Sequence, residues 1–247
     1  MKKVKRILCL LLSLTTMVAL VGCQSSDKKT QEASINNKTV TFYLIRHGET
    51  LFNKKGLAQG WCDSPLTKDG ISQATSLGKG LSDINFNSAH SSISERAIDT
   101  ANLVLKDKDI TPALSENLKE MNFGELEAEP SDTLFGDSFK RLIEPDGWSD
   151  VGGESWPELA ERVKKELDNI ALESKDGDNV LVSSHGMSIM ALASEIGADS
   201  DIYKKFDETN ESGIENCSVT VVEFKDGKYT LKSINDTSYL EKGESMK

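Results

Sequence analysis

Arg46, His47 and Gly48 adjoin one another, Ser184, His185 and Gly186 do the same, and Arg96 lies between the two groups. Guanidinium groups match phosphate oxygens in bidentate fashion, and the N–H groups of a glycine-containing turn ahead of a helix add donors for an anion. An imidazole held neutral can attack phosphorus in line with the leaving oxygen, while fixed positive charge stabilises the equatorial oxygens of the transition state. Phosphate is therefore the anion these residues suit, and the chemistry requires no metal or cofactor. One Arg-His pair alone carries little weight. The repetition of the setting carries more, provided the chain has elements that can bring the three places together.

Those elements are legible as alternating strands and helices. Val40 to Arg46 (VTFYLIR) is a short β-rich apolar run, and Thr67 to Leu81 has apolar residues at Ile71, Ala74, Leu77 and Leu81, the spacing of a helix face. Thr67 is a suitable cap, with Pro65 just ahead of it. A second unit follows, with a strand near Phe86 to Ser91 and a helix from about Ile93 to Leu105. The third has a helix over Trp156 to Leu172, a buried strand at Asn179 to Ser183 and a helix over Met187 to Ile196. Two alternating strands, Ser218 to Phe224 and Lys228 to Ile234, close the chain around Asp226-Gly227, a hairpin-turn signal. The expected fold is three-layer α/β/α, a mostly parallel central sheet with an antiparallel edge strand and helices on both faces. Ligands of such sheets bind at the C-terminal ends of the strands. Arg46-His47, Arg96 and His185 all fall there.

With these residues in order, the chain resembles the histidine phosphatase superfamily in its phosphoglycerate mutase-like branch, over nearly all of residues 40 to 235. RHGET at 46 to 50 resembles the family's nucleophile motif, followed by Asn53, Gln59-Gly60 and the run from Asp63 to Thr67, with Gly70 and Gln73 in place. Ser91-Ser92, Arg96-Ala97 and Thr100-Ala101 resemble the second phosphate arginine and its surroundings. Leu118-Lys119-Glu120 with Phe123-Gly124 resembles the acidic proton donor, and SHG at 184 to 186 the second histidine. The resemblance implies that His47 becomes the phosphohistidine. Arg46, Arg96 and His185 would hold the phosphoryl oxygens, with Asn53, Gln59 and Gly60 as further phosphate contacts, and Glu120 would protonate the leaving alkoxide. A donor carboxyl of that kind needs a raised pKa. Only the motif selects Glu120 from its neighbours Glu116, Glu125, Glu127 and Glu129. His90 reads as structural.

Two positions depart from the family pattern. Glu127-Ala128 stands where many members have Glu-Gly, and Ile93-Ser94 replaces a common Asp-Leu. Alanine does not take glycine's positive-φ conformations cheaply, so the loop beside Glu120 is where the departure bears. Gly152-Gly153-Glu154-Ser155 resembles a segment of broad-specificity and ribazole-phosphate phosphatases, and dedicated mutases carry a longer insertion in this region. The expected activity is metal-independent hydrolysis of a small-molecule phosphate monoester. The alternatives are phosphoglycerate mutase-type transfer and a surface protein that binds phosphorylated ligands with weak turnover. Phe123, Phe135, Phe139, Arg141 and Trp148, between residues 121 and 155, could shape a cap over the substrate or pack in the core.

The N-terminus sets the expected location. Lys2, Lys3, Lys5 and Arg6 precede an apolar run from Ile7 to Val21 that is too short for a permanent span, the pattern of a signal peptide. It ends Leu20-Val21-Gly22-Cys23, which resembles the lipobox of bacterial lipoproteins. Residues 1–22 then form the signal peptide, 23–38 a polar tether and 39–247 the catalytic domain. Lipid on Cys23 would hold the exported domain to the outer face of the cell membrane, two acyl chains being what stable anchoring requires. A plain secretory signal or an uncleaved anchor would also export the domain. Removing residues 1–22 takes four basic and no acidic residues from totals of 29 and 40, leaving 25 against 40, or −15. Such a chain has no electrostatic footprint for nucleic acid. Cys62 and Cys217 lie in no metal spacing; export would permit a disulfide between them if their α-carbons lay within about 7 Å, but two unpaired thiols are expected. The oligomeric state is left open.

Overall fold

The computed structural model describes residues 38–132, 146–209 and 213–246. Residues 1–37, with the expected signal peptide, Cys23 and nearly all of the tether, lie outside the described residues, as do Phe135, Phe139 and Arg141. The strands are β1 (Thr39–Arg46), β2 (Ser88–Ser92), β3 (Ala113–Ser115), β4 (Asp178–Ser184), β5 (Val219–Lys225) and β6 (Lys228–Asp236). The α-helices among the described residues are α1 (Leu51–Lys55), α2 (Lys68–Gly80), α3 (Glu95–Val104), α4 (Trp156–Glu173), α5 (Gly186–Gly197), α6 (Asp201–Thr209) and α7 (Ser238–Ser245).

The strands form one sheet in the order β3-β2-β4-β1-β5-β6. The first four are mutually parallel, β5 runs antiparallel to β1, and β6 runs antiparallel to β5. The reversed strand is thus one place in from the edge. Asp226 at φ 51° and Gly227 at φ 80° make the two-residue turn, both in the left-handed region that a tight hairpin of this hand needs.

Alternation along the strands builds a core on each face. Val40, Phe42 and Leu44 of β1, with Val180 and Val182 of β4, pack under α4 and α5 against Leu159, Val163, Leu167, Ile189 and Leu192. Ile45 and Leu181 point the other way, into Ala74, Leu77 and Leu81 of the α2 region and Val104 of α3. Trp148 is fully buried in the first core and meets Phe123 edge-on, so it packs rather than caps. Helices α1, α6 and α7 and strand β3 are absent from the sequence expectation. They are short or, like α6, carry an apolar stripe that leaves no residue fully buried.

Candidate active site

Strand register brings the two histidines together. Arg46, the last residue of β1, pairs with Ser184, the last of β4, so His47 and His185 leave neighbouring strands at the same level. Their ring centroids lie 5.3 Å apart. Strand β2 ends beside them, Ser91 pairing with Ser183, and Ser92 Oγ stands 2.8 Å from His185 Nε2. Four residues after Ser92, Arg96 occupies the first turn of α3, fully buried.

The loop after β1 is held closely enough to fix the His47 ring. A Cβ on Gly48 would stand 2.5 Å from Gly70 O, and one on Gly70 would stand 2.1 Å from Glu49 O, so this crossing demands glycine on both sides. Gly48 N–H donates to Thr100 Oγ1 (3.0 Å), and Asn216 Nδ2 donates to His47 O (2.8 Å). His47 Nδ1 lies 2.9 Å from Gly48 O. A carbonyl can only accept, so Nδ1 carries the proton and Nε2 presents its lone pair. Burial, then Arg96 and Arg46, hold the His47 pKa well below 6.5, and burial followed by Arg96 does the same for His185. Both imidazoles are neutral.

Three buried nitrogens here have no hydrogen-bond partner among the described residues: Arg46 Nε, Arg96 Nε and His185 Nδ1. The terminal nitrogens of Arg96, Nη1 of Arg46 and Nε2 of His185 are engaged. Arg46 Nη1 donates to Ile214 O. Arg96 Nη1 donates to Cys62 O (3.0 Å) and Asp63 Oδ1 (2.8 Å), and its Nη2 to Gly60 O (2.8 Å). Buried donors left open at a cost of about 1–3 kcal/mol each call for an acceptor; the two guanidinium Nε–H groups suit the oxygens of a phosphoryl group, and His185 Nδ1 joins them as a donor in the tautomer whose Nε2 accepts from Ser92 Oγ.

Glu120 reaches the site from a segment with no ladder of its own. Helix α5 begins at His185 without a side-chain cap, and Glu120 supplies one from a distance. Its Oε2 accepts from Met187 N (3.0 Å), and its Oε1 from Ser188 N (3.0 Å) and Met121 N (2.9 Å). A cavity of about 190 Å³ opens here, lined by the polar residues Arg46, His47, Asn53, Gln59 and Glu120 and by the apolar residues Leu57, Phe123, Met187, Met190 and Ile214. A larger hollow of about 580 Å³ lies around Asn87, His90 and Asp178, at the N-terminal ends of β2 and β4 and away from this chemistry.

The structure gathers His47, Arg46, Glu120, Asn53 and Gln59 on the cavity, with Arg96 and His185 buried against them. Asn53 spends Oδ1 on Thr50 N–H in a capping box, leaving Nδ2 without a partner among the described residues. Gln59 accepts from Thr50 Oγ1 (2.6 Å) and donates to Ser64 Oγ (3.2 Å), so both ends of its amide are engaged within the loop. Gly60 does not line the cavity. Its carbonyl takes Arg96 Nη2 and its N–H donates to Glu127 Oε2 (3.0 Å), so it reaches the site through Arg96. His90 is half-buried in β2, away from the cavity. Cys62 and Cys217 are both free, and burial pushes each thiol up to about 12.

Ser92 and Asp63 fall in stretches the sequence already singles out, but their contacts with His185 and Arg96 do not follow from it, and Asn216, on the His47 carbonyl, has no sequence signal at all. Glu127 gathers the N–H groups of Gly60, Trp61, Cys62 and Phe123, tying the Gln59 loop to the Glu120 segment. Beside it, Ala128 adopts φ 67°, the left-handed conformation that glycine would take freely.

Comparison with known proteins agrees with this geometry. The sequence model of the histidine phosphatase superfamily (branch 1) matches residues 42–237. A probable phosphoglycerate mutase of Yersinia pestis is 31% identical over 209 residues, covering 81% of this chain and 94% of its own length. Among solved structures, phosphoglycerate mutase from Bacillus anthracis superposes with a TM-score of 0.75 at 34% identity, over 85% of this chain and 99% of that one. Phosphoserine phosphatase from Entamoeba histolytica, solved with 3-phosphoglyceric acid, gives 0.67 at 30% identity over 81% and 99%. By sequence and by fold, the chain belongs to the histidine phosphatase superfamily, branch 1.

Proposed function

We propose that this protein hydrolyses phosphate monoesters through a phosphohistidine on His47. The observation that carries the reading is the set of open nitrogens on Arg46, Arg96 and His185 around an imidazole whose Nδ1 proton is committed to Gly48 O. In the first step His47 Nε2 attacks phosphorus, the P–O bond to the alcohol breaks, and the leaving oxygen takes a proton from Glu120. In the second, water gives a proton back to Glu120 and attacks phosphorus, the P–N bond breaks, and inorganic phosphate leaves with His47 neutral again. The two guanidiniums stabilise the phosphoryl charge in both steps.

Hydrolysis is favoured over mutase-type transfer by the lining of the cavity. Leu57, Ala58, Phe123, Met187, Met190 and Ile214 make up much of it, and Arg46 is the one Lys or Arg side chain on it among the described residues. A carboxylate-bearing phosphate passed between two orientations calls for more positive charge than that. The Yersinia relative's name points to the mutase and the Entamoeba neighbour's to a phosphatase, so the activity needs its own assay. The purified protein is expected to release phosphate from an aryl phosphate in EDTA, and His47→Ala to abolish acid-labile labelling by a phosphate donor. Wild type without turnover from acidic to neutral pH would leave a phosphate-binding protein in its place, and labelling that persists in the variant would reject His47 as nucleophile.

The lipid anchor on Cys23 and an exported domain belong to the same proposal, supported by the charged and apolar N-terminus and by Val21-Gly22-Cys23. Expressed in a bacterium, wild type is expected to partition with membranes and Cys23→Ala to leave them after signal cleavage. Full membrane retention of the cleaved variant would remove the anchor.

A further inference from the structure

The segment that carries Glu120 has little regular structure to hold it. A single 3-10 turn, Glu116–Leu118, precedes it, and the carbonyls of Asn117, Lys119 and Glu120 have no helical or sheet ladder to enter. Buried carbonyls of this kind need donors from elsewhere. Arg162, projecting from α4, supplies them: Nη1 donates to Asn117 O (2.9 Å) and Lys119 O (2.7 Å), and Nη2 to Glu120 O (2.9 Å). The other edge of the guanidinium grips Glu154, Nε to Oε1 at 2.6 Å and Nη2 to Oε2 at 2.8 Å. All five N–H donors of Arg162 are thereby placed.

Glu154 completes the grip from the far side of Glu120. Its carboxylate accepts Asn122 N–H (3.3 Å), and its own N–H donates to Asn122 O (2.9 Å). The pair is mostly buried, with 17% and 12% of the two side chains exposed. Neither residue lines the cavity. We propose that Arg162 and Glu154 are positioning residues that fix the main chain on both sides of Glu120 and so set where its carboxyl stands. The side chain is held at one end by α5 and the backbone at the other by this clamp. A planar fork with five donors does this where a lysine, with three on a flexible stem, does not.

The inference rests on Glu120 being the proton donor, and leaving-group basicity separates the two claims. A general acid matters most for alcohols that leave poorly and little for acidic phenols. The test measures kcat/KM, which reports the steps through phosphoryl transfer to the enzyme, for a series from nitrophenyl phosphate to simple alkyl phosphates. It compares wild type, Glu120→Gln, Glu154→Gln and Arg162→Lys, each checked for folding by its thermal midpoint. Glu120→Gln is expected to lose about 100-fold or more on alkyl esters and little on the nitrophenyl ester. Glu154→Gln and Arg162→Lys are expected to lose roughly 10- to 100-fold on alkyl esters, as displaced catalytic groups do, and to stay within about two-fold on the nitrophenyl ester. If Arg162→Lys fails to fold, Glu154→Gln decides alone. Selective loss in Glu120→Gln with equal losses, or none, in Glu154→Gln overturns the clamp. Absence of selective loss in Glu120→Gln overturns the donor assignment and the clamp with it.

Discussion

Acidification from pH 7 to 5.5 is expected to weaken the fold through the two histidines at its centre. In the unfolded chain an imidazole takes up a proton near pH 6.5. In the folded chain, burial and the neighbouring guanidiniums hold His47 and His185 well below that value. Between the two values the unfolded state binds the additional proton. The stability tied to each neutral imidazole is therefore present in full above about pH 6.5 and is lost progressively as the pH falls. For one imidazole that remains neutral when folded, the loss between pH 7 and 5.5 is roughly 1.2 kcal/mol, and about twice that for the pair. Urea unfolding at the two pH values measures it, with constant m-values as the check on two-state behaviour. His47→Asn keeps a donor for Gly48 O and removes the titration, so its pH-dependent loss should be smaller than that of wild type by roughly 1.2 kcal/mol. Burial also lowers the His90 pKa, but His90 is present in both proteins and cancels in that difference. Catalysis per folded molecule is expected to fall less on acidification than the titration of an ordinary imidazole would give, because burial and then Arg96 and Arg46 lower the His47 pKa. Equal pH dependence in wild type and His47→Asn would refute the neutral buried imidazole, and with it the account of the nucleophile.

Two further outcomes follow from particular residues. Ala128→Gly relieves a left-handed alanine whose neighbours are pinned by Ala128 N–H to Ala58 O and Ala58 N–H to Glu129 O. It is expected to stabilise the protein by about 1 kcal/mol and raise Tm by ~2–4 °C, and a lower Tm in calorimetry would show that the strain is absent. Supplied with a phosphoglycerate and a catalytic amount of the bisphosphate, the enzyme is expected to release inorganic phosphate with little interconversion of isomers; rapid interconversion without release would establish transfer over hydrolysis.

Much of the fold was readable because its signals are local. The apolar run of β1, the helical period from Thr67 to Leu81 and the Asp226-Gly227 turn each depend on residues close in the chain, and each lies within two residues of its expected place. The same holds for the catalytic candidates, since RHG and SHG sit where a strand stops and a helix or loop begins. Helix α7 was not readable. It is held by a close approach to α2, where a Cβ on Gly243 would stand 1.7 Å from Ser76 O, and no pattern within eight residues records such a contact.

The sequence by itself determined which residues could attack and hold phosphate, that they fall at strand ends, and that residue 128 is an alanine where glycine is usual. Only the tertiary structure decided that β1 and β4 lie side by side in the register that brings His47 and His185 together. It decided too that Nδ1 of His47 is the protonated nitrogen, that Arg96 spends its terminal nitrogens on the Gln59 loop, and that Glu120 is held by Arg162, 42 positions away. Tautomer, burial and hydrogen-bond partner are properties of a three-dimensional neighbourhood. Two of the strands that compose this one meet at Arg46 and Ser184, far apart in the chain, so no short stretch of residues read in order contains it.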